Sequence, residues 1–300
     1  MDKLRAMAAF VRIVDGGSLT AAADALGTSP TSVVRTLAAL EAALGVRLLN
    51  RSTRRIALTE EGREYLERSR RILSEVDDAE AALSARQARP TGRLGITAPV
   101  MFGRLHVAPV VTDFLAAHPG VQVDLLLLDR VVDLLDEGMD LAVRIGPLPD
   151  SSLVARPLGE TRRMVCASPA YLAERGEPRQ PGELADHECV RFTALEGGSE
   201  WAFEALGRPL RVPVRGVLTT NQVEAALDAC AKGLGCGRFL GYQAAAMLRE
   251  GRLVRVLRDF EPQPAPVHLV TPHSRLLSSR LRAFTDWAVP RLRERLREGA

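Results

Sequence analysis

Cysteine and aromatic side chains are scarce in this 300-residue chain, which carries four cysteines, two tryptophans, three tyrosines and eight phenylalanines. Cys166, Cys189, Cys230 and Cys236 are too few for a disulfide scaffold and contain no CxxC pair. The five histidines (His106, His118, His187, His268, His273) have no metal-ligand spacing, and His187-Glu188 lacks the HExxH period. No metal site is therefore expected. Long apolar runs are also missing, since charges or prolines interrupt every stretch approaching the ~18–20 residues of a membrane span. Met1-Asp2-Lys3-Leu4-Arg5 does not begin an apolar secretory signal. The expectation is a cytoplasmic protein with no membrane partner.

Catalytic signatures are absent too: no GxSxG elbow, no GxxxxGK[ST] loop and no kinase set. Gly233-x-Gly235-x-Gly237 imitates part of a dinucleotide fingerprint, but it follows a helical stretch and reads as a turn entering a strand. Neither an enzyme nor a cofactor is expected. Net charge is only +3, too little to name a partner by itself. What remains is 46% hydrophobic and 26% charged residues, the balance of a globular chain with length for about two domains.

The first ninety residues follow helical grammar. Leu4, Met7, Ala8, Val11 and Val14 recur at helical steps until Gly16-Gly17. Ser18 caps a second helix over Leu19–Leu26, and Ser29-Pro30 opens a third that runs to Gly45. Two short helices around a glycine-containing turn form a helix-turn-helix. Val46–Leu49 and Ile56–Leu58 then read as strands flanking a polar tip, a hairpin wing. Between Ala42 and Thr59 stand four arginines and no acid, a local charge of +4, which is the electrostatic footprint of phosphate contact. Thr59 caps a long helix to about Arg86 whose apolar seam (Tyr65, Ile72, Val76, Ala79, Leu83) steps in heptad fashion, as for pairing with a second copy. Pro90-Thr91-Gly92 reads as a linker.

Beyond Gly92 strands and helices alternate, which predicts an α/β fold with largely parallel sheets. Strands are expected at Arg93–Thr97, Val121–Leu128, Asp140–Ile145, Thr161–Ala167, Val212–Leu218, Leu253–Leu257 and Val267–Thr271. Helices are expected at Phe102–His118, Val131–Glu137, Pro169–Arg175 and Gln222–Lys232, and from about Leu277. Such a fold binds ligands at the carboxyl ends of its strands.

The segments Gly17–Ala23, Ser29–Leu44, Leu44–Arg51 and Arg54–Gly62, together with Asp140–Gly146 and Gly233–Gly235, resemble the LysR-type transcriptional regulators over essentially the whole chain. The resemblance implies an N-terminal winged helix-turn-helix over 1–59, a dimerising linker helix over 60–89, and an effector-binding domain over 90–300 built like a two-lobed periplasmic solute-binding protein. Lobe I would hold about 92–160 and 266–300, and lobe II about 161–265. It further implies a homo-oligomer (dimer or tetramer), double-stranded promoter DNA and a small-molecule effector of unknown identity as partners, and association with the nucleoid.

By that resemblance Thr31, Ser32 and Arg35 face the major groove, where Arg35 can bind guanine bidentately, Arg51 and Arg54 reach backbone or minor groove, and Ser29 and Thr53 complete the DNA-binding set. Pro30 and Val34 depart from the family's usual Gln and Ser, so base preference is expected to differ from that of typical relatives. The implied effector residues are Thr97, Ala98, Pro99 and Val100, then Arg130 beside Asp129, then Arg144 and Gly146, and finally Thr219, Thr220 and Asn221. Ala98-Pro99 removes a hydroxyl and an N–H from that set, so a less polar pocket is expected than in carboxylate-sensing relatives. Arg144 reads equally as a structural strut. Two alternatives stay open at this point: a thiol-redox regulator using the cysteines, and a solute-binding protein without a DNA role.

Overall fold

The computed structural model describes residues 2–52, 55–83, 90–134, 136–148, 153–193, 199–272 and 278–298. The chain divides into two compact units, Met1–Arg93 with Arg275–Arg280, and Leu94–Ser274 with Leu281–Ala300.

In the first unit, three capped helices form as the sequence dictates. α1 (Lys3–Gly16) starts at Asp2, whose carboxylate accepts from the Arg5 N–H, and ends at Gly17 in the left-handed region. α2 (Leu19–Ala25) and α3 (Pro30–Leu44) are capped by Ser18 and Ser29, which accept from Ala21 and Ser32 N–H. Their inner faces meet in one core of Phe10, Ile13, Ala22, Ala23, Val33, Leu37 and Leu40, where the alanines permit close helix crossing. β1 (Leu49–Ser52) and β2 (Arg55–Leu58) pair antiparallel, Leu49 opposite Leu58. α4 (Glu60–Leu83) follows with Glu60 and Glu61 at its positive end. The expected seam begins differently. Tyr65 turns into the core, its ring 5.8 Å from that of Phe10, Leu66 is buried beside it, and Arg70 pairs with Asp15 of α1. Ile72 is the first seam position left exposed. The side chains of Ala79 and Leu83, and all of residues 84–89, lie outside the described residues.

The second unit holds two five-stranded sheets. The first, in order β4-β3-β5-β14-β6, uses β3 (Gly92–Ala98), β4 (Val121–Leu127), β5 (Leu141–Ile145), β6 (Leu153–Thr161) and β14 (Ala265–Pro272). The second, in order β11-β8-β12-β7-β13, uses β7 (Arg163–Ala167), β8 (Cys189–Phe192), β11 (Gly216–Thr220), β12 (Cys236–Leu240) and β13 (Val254–Val256). Both are mixed, which corrects the largely parallel expectation. β3 runs parallel to β5, and β8 parallel to β11 and β12, but β14 is antiparallel to β5 and β6 and β7 is antiparallel to β12 and β13. The chain crosses between the sheets at Arg162 and again between β13 and β14.

Between β3 and β4 the helical segment Val100–Ala117 comprises α5 (Val100–Phe102), a π-helical turn (Gly103–Val107) and α6 (Ala108–Ala117). Pro109 accounts for the π turn, because it cannot donate to Leu105 and its ring would strike that carbonyl in a regular helix. This segment is long and apolar enough to cross a membrane, but Phe102, Val107, Val110 and Phe114 are buried in the unit and Arg104, Pro109 and Asp113 interrupt it, so it is a core helix. Gly103 lets it close on β4: a Cβ there would stand 2.1 Å from Leu127 Cδ2. A helix was expected at Val131–Glu137, but among the described residues of that stretch none is helical; Asp133 accepts from the Asp136 N–H, and Gly138 stands at φ 65°. Strands β6 and β8 and the hairpin β9 (Glu200–Ala205) with β10 (Arg208–Pro213) were not foreseen. α7 (Pro169–Arg175), α8 (Val223–Ala231) and α10 (Ser279–Glu298) fall where expected, and α9 (Gly241–Arg249) follows β12.

Candidate functional site

The outward face of α3 and the hairpin beside it come first. Thr31 and Arg35, four residues apart, are exposed on one helix face, and Ser32 is half-buried next to them. Ser29 spends its Oγ as a cap acceptor. Arg35 makes no salt bridge among the described residues, so its guanidinium is available to an outside partner. Val34, half-buried, offers only methyl groups. Arg51 occupies β1 opposite Ile56. Thr53 and Arg54 lie outside the described residues.

Glu41, which sequence reasoning gave no role, and Thr59, expected to cap the long helix, hold the hairpin to α3 and α4. Glu41 Oε1 accepts from the Leu48 N–H at 2.8 Å and the Leu49 N–H at 3.2 Å, clamping the entry to β1 onto α3. Thr59 donates through Oγ1 to the Arg47 carbonyl at 2.7 Å and accepts from the Gly62 N–H at 2.9 Å. At Gly62 an added Cβ would lie 2.0 Å from the Leu48 carbonyl oxygen. The Glu41 carboxylate and the missing Cβ at Gly62 therefore set where the arginine-bearing hairpin sits relative to α3.

The second unit contains a cavity of about 250 Å³ between the ends of its two sheets. Of the expected effector residues, Thr97, Ala98, Pro99, Arg130 and Arg144 line it. Val100 does not, although its N–H donates to Asp129 Oδ1 at 3.0 Å. Gly146, at φ 110°, turns away and donates to the Pro266 carbonyl. Thr219, Thr220 and Asn221 also stand off the cavity. Thr219 and Thr220 end β11, the outer strand of the second sheet, with β8 between it and β12; Asn221 follows it, and Thr220 Oγ1 accepts from the Gln222 N–H. The wall they were expected to form is instead Phe192, Leu240, Tyr242 and Gln243. Those residues carry no chemical signature in the sequence; only the pairing of β8 with β12 brings them together.

The cavity's cations are already engaged. Arg130 makes a two-pronged bond to Glu137, at 2.6 and 3.1 Å. Arg144 Nη2 donates to the Val132 carbonyl at 2.6 Å, a backbone partner where the strut reading expected a carboxylate, and its remaining donors border the cavity. Burial pushes the Tyr242 phenol above its ordinary range, with the Asp129 and Glu224 charges adding to that, so it stays a neutral hydroxyl. Phe102, His106 and Tyr242 form an aromatic trio, with Tyr242 edge-on to Phe102 at 5.3 Å and to His106 at 5.6 Å. Burial, aided by the charge of Arg295, lowers the His106 pKa and keeps its ring neutral. The trio and the Arg104–Glu224 pair at 3.1 Å join the helix after β3 to the helices of the second sheet.

The four cysteines are free and buried around β12: Cys236 sits opposite Cys189, and Gly237 opposite Cys166. A Cβ on Gly237 would come 2.5 Å from Cys230 Sγ. Gly235 likewise faces the Glu188 carbonyl, at 2.2 Å from a would-be Cβ, so Gly235 and Gly237 serve strand packing, while Gly233 at φ 87° makes the turn before them. Burial pushes the thiols of Cys166, Cys189 and Cys236 up to about 12, and Cys230 also well above its usual value. Thiols held neutral in this way are poor nucleophiles. His187 bonds the Tyr171 hydroxyl at 3.1 Å. Among the described residues no group of three His, Cys, Asp or Glu side chains is placed to hold a metal ion.

Comparison with known proteins agrees with this geometry. Residues 4–63 match the family model for bacterial regulatory helix-turn-helix proteins of the lysR family, and residues 87–293 match the LysR substrate binding domain. An HTH-type transcriptional repressor of Pseudomonas aeruginosa (strain UCBPP-PA14) is 38% identical over 291 residues, 96% of this chain and 92% of that protein. The solved structure of CrgA from Neisseria meningitidis is 33% identical with a TM-score of 0.61, covering 96% of this chain and 98% of that one. Full-length AphB, a virulence activator of Vibrio cholerae, is 26% identical with a TM-score of 0.62 and the same coverage. With the helix-turn-helix, the hairpin and the two-sheet cleft all accounted for, the chain is a LysR-type transcriptional regulator.

Proposed function

We propose that this regulator reads promoter DNA with Thr31, Ser32 and Arg35, with Ser29 holding the start of α3, and grips the backbone or minor groove with Arg51, Thr53 and Arg54. It works as a homodimer or a dimer of dimers paired through the linker helix, within residues 60–89, acting on the nucleoid in the cytoplasm. A small molecule entering the cleft of the 90–300 domain, between a lobe of about 92–160 and 266–300 and one of about 161–265, alters how the paired heads, each residues 1–59, engage the duplex. The relatives do not fix the sign of the output, since one is named a repressor and another an activator.

The observation carrying this reading is the exposed Thr31–Arg35 face, with Arg35 free of salt bridges among the described residues, next to a hairpin of local charge +4. Footprinting and anisotropy of the full chain on its own upstream DNA test it. Arg35→Ala is expected to cost about 1–3 kcal/mol, roughly 5- to 150-fold, on the specific site while leaving non-specific binding nearly unchanged. Equal losses on both kinds of DNA would reduce Arg35 to a phosphate contact.

The thiol-redox alternative has no exposed cysteine to work through among the described residues.

A further inference from the structure

The polarity of the cleft is set by a residue of the chain itself. The helical segment Val100–Ala117 points its N-terminus at the cavity, and an exposed N-terminus of that kind would receive a ligand carboxylate. Here two of the groups it would use are gone. Pro99 has no N–H, and the Val100 N–H is taken by Asp129 Oδ1 at 3.0 Å. A carboxylate already stands where an anionic ligand would stand. Asp129 lines the cavity, and its second oxygen accepts no hydrogen bond among the described residues.

Nearby charges offset it only in part. Glu224, though paired to Arg104 at 3.1 Å, raises the Asp129 pKa further, adding to burial as the main cause and opposing the Val100 N–H. Arg130 is paired with Glu137, while Arg144 keeps its charge and spends Nη2 on the Val132 carbonyl. Most of the remaining lining is hydrocarbon, as at Leu128, Val132, Leu148, Phe192 and Leu240. At the Asp129 end an incoming anion would meet like charge in a partly desolvated site, whereas an O–H or N–H donor would find an unfilled acceptor.

We propose that the cleft takes a small apolar ligand bearing a hydrogen-bond-donating, uncharged or cationic head for Asp129, and rejects carboxylates there. The proposal rests on reading this cavity as the effector site. The test uses three probes sharing one ring, benzyl alcohol, benzylamine and benzoate, titrated into the full chain by ligand-observed NMR. Val131, a highly exposed residue at the rim of the cavity, supplies a blocking variant, Val131→Trp, that leaves the core intact.

Benzyl alcohol and benzylamine are expected to bind at least tenfold tighter than benzoate, and Val131→Trp to abolish their binding. Asp129→Asn keeps an acceptor for Val100 but removes the charge, and is expected to cut the discrimination against benzoate at least fivefold. Asp129→Ser repeats the measurement if the first variant does not fold. Benzoate binding as well as the alcohol, or discrimination unchanged in both variants, overturns the ligand class while leaving the effector cleft in place. Failure of all three probes, or binding that survives Val131→Trp, overturns the cleft reading and the ligand class together.

Discussion

Single residues in this regulator do structural work that is invisible until neighbours are placed. Gly62 sits in the first turn of α4, where alanine normally favours a helix by about 1 kcal/mol over glycine. The Leu48 carbonyl 2.0 Å from its would-be Cβ reverses that sign. Gly62→Ala is expected to destabilise the head by about 1–3 kcal/mol, the usual cost of overpacking, and to weaken DNA binding by displacing the hairpin. Urea unfolding with operator anisotropy checks it, and a more stable variant would contradict the close approach. The cysteines supply a second residue-scale prediction. Their folded thiols ionise near 12 against 9.0 unfolded, so the stabilising difference is full below pH 9 and is lost between about 9 and 12, as the unfolded chain ionises and the folded one does not. Each thiol contributes up to about 1.4 kcal/mol per pH unit in that window. Urea midpoints at pH 8 and 10.5 should therefore fall less steeply in Cys166→Ala than in the parent. The native thiols should also react with a disulfide reagent at pH 8 only as fast as the core opens.

Elements report what their end residues allow, and this decides what could be read from the sequence. α3 and α7 were legible because a capping serine and Pro at the first helical turn agree with one another, α2 through its Ser18 cap, and α10 through its apolar spacing alone. β6 was not: it is largely exposed, carries Pro157 and Gly159, and pairs with β14 through a register shift at Val267–His268, so no period of two survives. The same limit hid the cleft. Thr97, Ala98 and Pro99 follow a recognisable strand, whereas Phe192 and Tyr242 reach the cavity only because β8 and β12 are neighbours in the second sheet. On α4 the heptad steps were legible, yet Tyr65 belongs to the head, which leaves Ile72 and Val76 to begin any pairing seam. Replacing both with glutamate is expected to halve the sedimenting mass of the oligomer without unfolding the head, whose core ends at Leu66. Unchanged mass would move the dimer contact elsewhere.

At the scale of the whole molecule the decisive quantity is where the charge sits. The full chain carries +3, but the stretch from Ala42 to Thr59 carries +4 alone, so the remainder of the chain is on balance slightly acidic. Attraction to a duplex must then be local to the heads and scale with the number of heads engaged. Each phosphate neutralised releases condensed counterions, giving a log–log salt slope of about −0.9 per contact. If a head makes roughly four such contacts, one for each hairpin-region arginine, a paired molecule with both heads seated should show a slope near −7 and a single head about half of it. Titrating potassium chloride against operator affinity for the parent chain and for the Ile72→Glu, Val76→Glu double variant measures both. A twofold ratio of slopes means that the linker helix positions two heads on adjacent half-sites. Equal slopes would mean that one head binds at a time, and a ligand-driven change in head spacing could then have no effect on promoter occupancy.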